Sequence, residues 1–136
     1  DLHYPLRRQR KMCIRDRDWG HAKDYAKSMW KILQYKKPED WVIATNKEQT
    51  VKKFVELVSR KLNIKLKWSG RGMKEKGINK ITGKTIIDID AKHFRPTEVD
   101  FLKGDFSKAK KYLKWSPNIT TDELIDDMVK TELSNY

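Results

Sequence analysis

Apolar positions change their spacing along the chain, and each spacing predicts an element. From Ala22 they recur every three to four residues until Pro38 interrupts them, which predicts a helix over about 22–36. The run Trp41-Val42-Ile43-Ala44-Thr45 is short, apolar and β-branched, as in a buried strand of a parallel sheet. Thr50 can cap a second amphipathic helix that extends to about residue 62.

The second half of the chain continues this alternation. Alternate apolar residues predict a strand over 64–68, and Thr85 begins another strand that extends to residue 89. Residues 69–84 hold four of the six glycines and many charges, so we expect a loop there. Asp105 or Ser107 can cap a short helix that ends before Pro117. Thr120 and Glu123 have capping-box spacing at the start of a last helix, and the whole pattern favours an α/β layered fold.

Composition narrows the class of protein. A chain of 136 residues with 38% hydrophobic content and five tryptophans is enough for one globular domain. No apolar run approaches the length of a membrane span, and the first seventeen residues lack the centre of a secretory signal. The single cysteine excludes an internal disulfide, so the expected compartment is the cytoplasm. His3, His21 and His93 lack metal-ligand spacing, and the last two are better explained by structural than by catalytic roles.

The net charge of +12 raises the alternative of a free-standing basic α/β module that binds nucleic acid. The position of the charge weakens this alternative, because much of it is concentrated at the start of the chain (Arg7, Arg8, Arg10, Lys11, Arg15 and Arg17). Most other basic residues are lysines interleaved with acids on polar helix faces, which are usually solvated. Residues 1–16 show no periodicity, and we expect them to be a non-native or disordered basic leader before a domain over 17–136.

Two segments combine arginine and carboxylate on short backbone punctuated by Gly or Pro: Arg17–Ala22 and Phe94–Asp100. This combination suits a rigid site for a phosphate-bearing ligand. Pro96 restricts the backbone of Arg95, and a pre-oriented guanidinium fork suits bidentate phosphate binding. Glu98 can accept hydrogen bonds from sugar hydroxyls or pair with Arg95 in a surface salt bridge, and residue types leave both open.

Other motifs are weaker. Gly70-x-Gly72 begins like a dinucleotide fingerprint, but Glu75 occupies the third glycine position and no amphipathic helix follows. A flexible loop explains it better. Asp88 and Asp90 would share one strand face as paired acids, yet without a visible partner a polar face is the better interpretation.

Several motifs in order resemble the GDP-mannose 4,6-dehydratases, members of the extended short-chain dehydrogenase/reductases. The similarity covers about residues 17–133 and includes Arg17-Asp18-Trp19-Gly20-His21-Ala22-Lys23-Asp24-Tyr25, Trp41 to Thr45, Phe94 to Asp100, Gly104-Asp105 and Leu113-x-Trp115. The resemblance implies an α/β C-terminal substrate-binding lobe whose Rossmann domain is missing. It departs from the family at Phe106, where a proline is usual, and near Asn46, where a glycine is usual.

In this family, NADP takes a hydride from the mannose C4, water leaves across C5 and C6, and the hydride returns to C6. The resemblance therefore implies a lyase that converts GDP-mannose to GDP-4-keto-6-deoxymannose, with NADP bound mainly by the missing domain and a homo-oligomeric full enzyme. Matched residue by residue, Arg17 and Arg95 would contact the diphosphate, and Glu98 the ribose hydroxyls. The chain lacks the family's Tyr-x-x-x-Lys motif, so we assign no catalytic residue and expect it to be inactive alone.

Overall fold

The computed structural model describes residues 16–90 and 103–135. The elements follow in the order β1 (Asp16–Asp18), α1 (Ala22–Leu33), β2 (Glu48–Thr50), α2 (Val51–Lys61), β3 (Leu66–Ser69), a single 3₁₀ turn (Gly72–Lys74), β4 (Lys76–Asn79), β5 (Thr85–Ile87), α3 (Ser107–Tyr112) and α4 (Thr121–Ser134). Helices and sheets are mixed, which confirms the α/β class. Among the described residues, no helix is long and apolar enough to cross a membrane.

The chain divides into two compact units, which we call the helical unit and the sheet unit. The helical unit comprises Arg17–Gln49 and the described residues from 103 onward; the sheet unit contains the described residues from Thr50 to 90. A cluster of Ala109, Leu113 and Trp115 forms the core of the helical unit. The partly buried residues packed around it are Tyr25, Ile32, Tyr35, Trp41, Ile43 and Phe106. Edge-to-face aromatic contacts stabilise this core; the ring centroids of Phe106 and Trp115, for example, lie 5.9 Å apart.

Polar bonds fix α1 in the helical unit. The His21 side chain caps the helix by accepting the Lys23 N–H at 3.1 Å, and its other ring nitrogen bonds Asp127 of α4 at 3.0 Å. Asp24 is fully buried and its Oδ2 accepts the N–H groups of Asn118 and Ile119, each at 2.9 Å. These bonds attach the first turn of α1 to the segment that leads into α4.

The sheet unit contains α2 and an antiparallel meander in the order β3-β4-β5. Leu66 pairs with Asn79 and Trp68 with Gly77 across the first ladder. The Trp68 indole donates to Glu56 Oε1 of α2 at 3.0 Å, while Lys52 lies over its ring at 4.7 Å. One aromatic side chain therefore joins the helix to the sheet.

The predicted helices are confirmed at their starts. Thr50 caps α2 by accepting the Lys53 N–H at 2.9 Å, and Thr120 with Glu123 forms a complete capping box on α4. Asp105 accepts the Ser107 N–H at 2.8 Å ahead of α3, but the N-cap of α3 is Phe106, which has no side-chain cap bond, so the predicted cap by Asp105 or Ser107 was wrong. The first helix ends at Leu33, three residues earlier than predicted, because the chain turns there with Gln34 as its C-cap.

Two predicted elements were wrong. Residues 41–45 do not form a strand. The Thr45 and Asn46 amides bond the Asp18 carboxylate, which replaces a strand ladder at this end of the run. Residues 69–84 contain the 3₁₀ turn and the strand β4, so they are not simply a loop. Gly70, at φ +84, makes the tight turn that lets β4 pair back on β3; a Cβ there would lie 2.1 Å from the Lys74 carbonyl oxygen.

Candidate functional site

Asp18 belongs to the first predicted phosphate-binding segment, Arg17–Ala22, and its carboxylate accepts hydrogen bonds from several other parts of the chain. It accepts hydrogen bonds from Thr45 N at 2.8 Å, Thr45 Oγ1 at 2.5 Å and Asn46 N at 3.0 Å. A fourth bond comes from Gly104 N at 3.2 Å. Hydrogen bonds to an ionised carboxylate are the stronger class, so Asp18 ties together three separate stretches of the chain.

Close packing reinforces this junction. A Cβ on Gly104 would lie 2.3 Å from Ala44 Cβ, so only glycine lets the two backbones approach this closely. Asn46 has a positive φ of 58, a conformation that glycine and asparagine tolerate best.

Arg17 lies in β1, one residue before Asp18, and is partly buried in the helical unit. Trp19, the residue after Asp18, donates its indole N–H to the Gln49 carbonyl at 3.4 Å. The pKa of Tyr25, nearby in α1, is raised by burial and then by the charges of Asp18 and Asp24. The segment that carries Arg17 is thus held by its neighbours on both sides.

Arg95 and Glu98, the other two predicted ligand contacts, lie outside the described residues. The described chain resumes at residue 103, and Gly104 donates its N–H to the Asp18 carboxylate. His93 and the 91–102 stretch around it are likewise outside the described part.

The remaining candidate motifs have structural explanations. His21 forms hydrogen bonds through both ring nitrogens. Its bond to the Asp127 carboxyl lowers the pKa of Asp127, and the charge of nearby Lys23 lowers this pKa further. Asp88 follows the end of β5, where the Lys76 side chain and the Ile89 amide lower the pKa of its carboxyl. Gly70 precedes a 3₁₀ turn that begins at Gly72, and a strand follows this turn instead of the helix N-terminus that a pyrophosphate needs.

A cavity of about 180 Å³ lies in the helical unit beside Trp19 and Thr45. Phe106, Lys47 and the 116–121 segment complete its walls. Within the described ranges, no group of three or more His, Cys, Asp or Glu side chains is placed to hold a metal ion.

Sequence reasoning did not anticipate Asp18 as a structural centre, because its donors are 27 to 86 residues away in the chain. The only local signal was its place beside Arg17 in a short segment. The Asp18 carboxylate is occupied by protein donors, which indicates a structural role for this residue.

The chain is similar to known proteins of one family. The family model of GDP-mannose 4,6 dehydratase matches residues 13–128. Similar proteins include GDP-mannose 4,6 dehydratase of Homo sapiens, 47% identical over 117 residues that make up 86% of this chain and 32% of that protein. The Drosophila melanogaster protein of the same name is 45% identical over 117 residues (86% and 30%), and GDP-mannose 4,6-dehydratase of Vibrio cholerae is 42% identical over 127 residues (86% and 34%).

This mixed α/β chain therefore belongs to the GDP-mannose 4,6-dehydratase family. It spans about a third of the length of the curated relatives it matches. The nucleic-acid alternative finds no support in these comparisons.

Proposed function

We propose that this chain is the substrate-binding part of a GDP-mannose 4,6-dehydratase, which converts GDP-mannose to GDP-4-keto-6-deoxymannose. The observation that supports this most is the family match over residues 13–128, joined by relatives 41–47% identical over most of the chain. The part of the enzyme outside these 136 residues would supply the chemistry, and the chain alone is inactive.

The proposed site uses Arg17 and Arg95 on the diphosphate and Glu98 on the ribose hydroxyls. Support for Arg17 comes from the neighbouring Asp18, whose carboxylate bonds Thr45, Asn46 and Gly104 and so fixes the backbone beside Arg17. A guanidinium on an anchored backbone loses less freedom when it binds a phosphate in a bidentate way.

The family implies a nicotinamide cofactor, NADP. The described residues do not fit such a group, because Gly70 and Gly72 lead through a 3₁₀ turn into β4, where a pyrophosphate needs a helix N-terminus. We therefore place NADP mainly on the part of the full enzyme outside this chain and derive no step through it.

The domain proposal is that residues 17–136 form the GDP-sugar-binding portion and residues 1–16 a leader that does not contribute to it. The family match begins at residue 13, close to this boundary. We further propose a homo-oligomeric, cytoplasmic full enzyme that acts as a lyase.

Calorimetric titration of the 136-residue chain with GDP tests the site. We expect Arg95→Ala to weaken GDP binding about tenfold or more, since it removes a charge-assisted bidentate contact. Arg71→Ala is the matched control: it removes the same charge from an exposed residue of the sheet unit and should change the affinity less than about twofold.

Equal GDP affinity for the wild type and Arg95→Ala would remove Arg95 from the site. Absence of GDP binding by a folded wild-type chain would contradict the proposed site as a whole. Binding to duplex DNA that weakens steeply with salt would favour the nucleic-acid alternative instead.

A further inference from the structure

The sheet unit carries most of the net positive charge of the described chain. Residues 50–90 hold eleven Lys and Arg against four Asp and Glu. The described part of the helical unit is nearly balanced, with thirteen against eleven. Most acids of the sheet unit are also engaged: Glu75 and Asp88 pair with lysines of the same unit, and Glu56 accepts the Trp68 indole N–H. The excess charge therefore remains on other, exposed basic side chains.

Three exposed lysines, Lys65, Lys67 and Lys80, share one face of the meander, which we call the lysine face. Lys65 and Lys67 alternate along the chain with the less exposed Leu66 and Trp68. The Lys80 N–H donates to the Lys65 carbonyl at 2.7 Å, which extends the register of β3 and β4 by one pair. Because opposed residues of an antiparallel pair project to the same side, Lys80 lies on the face of Lys65.

The lysine face is unfavourable for the stability of the chain. Like charges directly opposite each other, as in Lys65 and Lys80, destabilise a β-ladder. Among the described residues, no carboxylate forms an ion pair with any of the three lysines. A negatively charged partner would relieve this repulsion.

An apolar side chain extends from the tip of the β4–β5 hairpin, next to this face. Ile81 is 72% exposed, and the exposed Lys80 and Lys84 flank the tip. The turn is held by the Asn79 side chain, whose Oδ1 accepts the N–H of Ile81 at 2.8 Å and that of Thr82 at 3.3 Å. The hairpin thus presents one isoleucine among lysines on a fixed backbone.

We propose that the lysine face and Ile81 bind an anionic membrane surface. The lysine ammonium groups contact the acidic lipid headgroups, and Ile81 inserts at the boundary between headgroups and acyl chains. Basic side chains beside an exposed apolar residue are the combination that binds a protein to such an interface. This surface is independent of the reaction proposed above, since it uses no residue of the nucleotide site.

Other polyanions fit this surface less well. The described positions of the lysine face hold no arginine and no aromatic ring, the groups that fork to phosphates and stack on bases in nucleic-acid sites. An acidic polypeptide would need a pocket for the protruding Ile81. A lipid interface admits a single apolar side chain without a shaped partner.

Co-sedimentation of the 136-residue chain with lipid vesicles tests the proposal. We expect binding to phosphatidylcholine vesicles that contain about 30% phosphatidylserine and little binding to phosphatidylcholine alone. Lys65→Gln with Lys80→Gln should weaken binding about tenfold or more, because each lysine near an anionic surface contributes about fivefold. The matched control is Lys27→Gln with Lys110→Gln, which removes the same charge from exposed positions of the helical unit and should change binding less than about twofold.

The apolar contact has its own variant. Ile81→Ser should weaken vesicle binding about threefold or more, because it removes the inserted side chain. Leu133→Ser is its control, since Leu133 is 64% exposed on α4 and lies in the other unit. Denaturant unfolding separates binding from folding: Lys65→Gln with Lys80→Gln should leave the stability equal or higher, because it removes the repulsion across the ladder.

The absence of vesicle binding by the folded chain, or equal binding to neutral vesicles, would overturn the proposal. Equal losses for the two lysine pairs would also overturn it, because net charge alone would then explain the binding. Unchanged binding with Ile81→Ser would reject the membrane as the partner. Binding to polyglutamate or duplex DNA that the Lys65 and Lys80 substitutions abolish, without vesicle binding, would assign the lysine face to that polyanion instead.

Discussion

Asp18 joins residues up to 86 positions apart, through donors on Thr45, Asn46 and Gly104. Loss of a partly buried carboxylate that accepts several hydrogen bonds leaves the amides that donate to it without their acceptor, and this costs stability. At the residue scale, then, the segment that carries Arg17 depends on its neighbour for its geometry. The candidate ligand contact and the group that anchors it are adjacent in sequence.

We predict that Asp18→Asn lowers the free energy of unfolding by about 2 kcal/mol or more, because it replaces a charged acceptor and points an amide NH₂ toward N–H donors. Denaturant unfolding of the 136-residue chain measures this. Asp105→Asn is the control, since the Asp105 side chain is exposed and, within the described residues, its carboxylate bonds Ser107, two residues further along the chain. A loss for Asp105→Asn as large as that for Asp18→Asn would show that Asp18 is not an anchor.

At the element scale, helix starts could be predicted from the sequence because their signals are local. Thr50 and Thr120 each cap a helix through a hydroxyl three residues from its donor. The strand predicted over 41–45 was wrong because its composition is that of a buried strand, while pairing depends on a partner that composition does not specify.

Strand β4 was missed for a related reason. Its residues, Lys76-Gly77-Ile78-Asn79, carry one large apolar side chain, and the glycines within and around it, Gly72, Gly77 and Gly83, usually indicate a loop. The strand exists because it pairs with Leu66–Ser69 on one side and β5 on the other. The same limit applied to the candidate site: Arg17 could be proposed from the sequence, but the donors that hold Asp18 come from distant stretches.

The packing of the 41–45 segment on the chain before α3 gives the second prediction. Gly104→Ala should lower the free energy of unfolding by about 1–3 kcal/mol, because the new methyl would meet Ala44 Cβ, 2.3 Å away. Ala44→Gly in the same protein should restore much of this loss, since the next nearest atom is Val42 Cγ1 at 3.4 Å. Thermal unfolding of the two single variants and the double variant measures the coupling; strictly additive losses would contradict the contact.

At the scale of the whole molecule, the charges that matter for stability are carboxylates with lowered pKa values. Hydrogen bonds lower the pKa of Asp88, Asp105, Glu123 and Asp127, while burial raises that of Tyr25. A carboxyl with a lowered folded pKa stabilises the fold above its ordinary pKa and loses this contribution as pH falls through the folded value. A tyrosine with a raised folded pKa stabilises below its ordinary value and loses this contribution as pH rises above it.

We therefore predict that the free energy of unfolding stays level between about pH 6 and 9, falls below about pH 4 and falls again above about pH 10. Urea unfolding followed across this range measures it. The fall in stability at acid pH should become shallower in Asp127→Asn, because this variant lacks the carboxyl whose pKa the His21 hydrogen bond lowers. Stability that is unchanged or higher at pH 3 would contradict the assignment of these carboxylates.

The chain spans about a third of the length of the curated relatives it matches, and our central proposal is that it acts as part of a longer enzyme. The measurement that tests this most directly is conversion of GDP-mannose to its 4-keto product, with NADP present, by the isolated chain and by a folded chimera in which this chain replaces the matched 117 residues of the human relative. The account predicts turnover by the chimera, a drop of about tenfold or more in kcat/KM with Arg95→Ala, and none by the isolated chain. Turnover by the isolated chain, or a folded chimera without any, would contradict it.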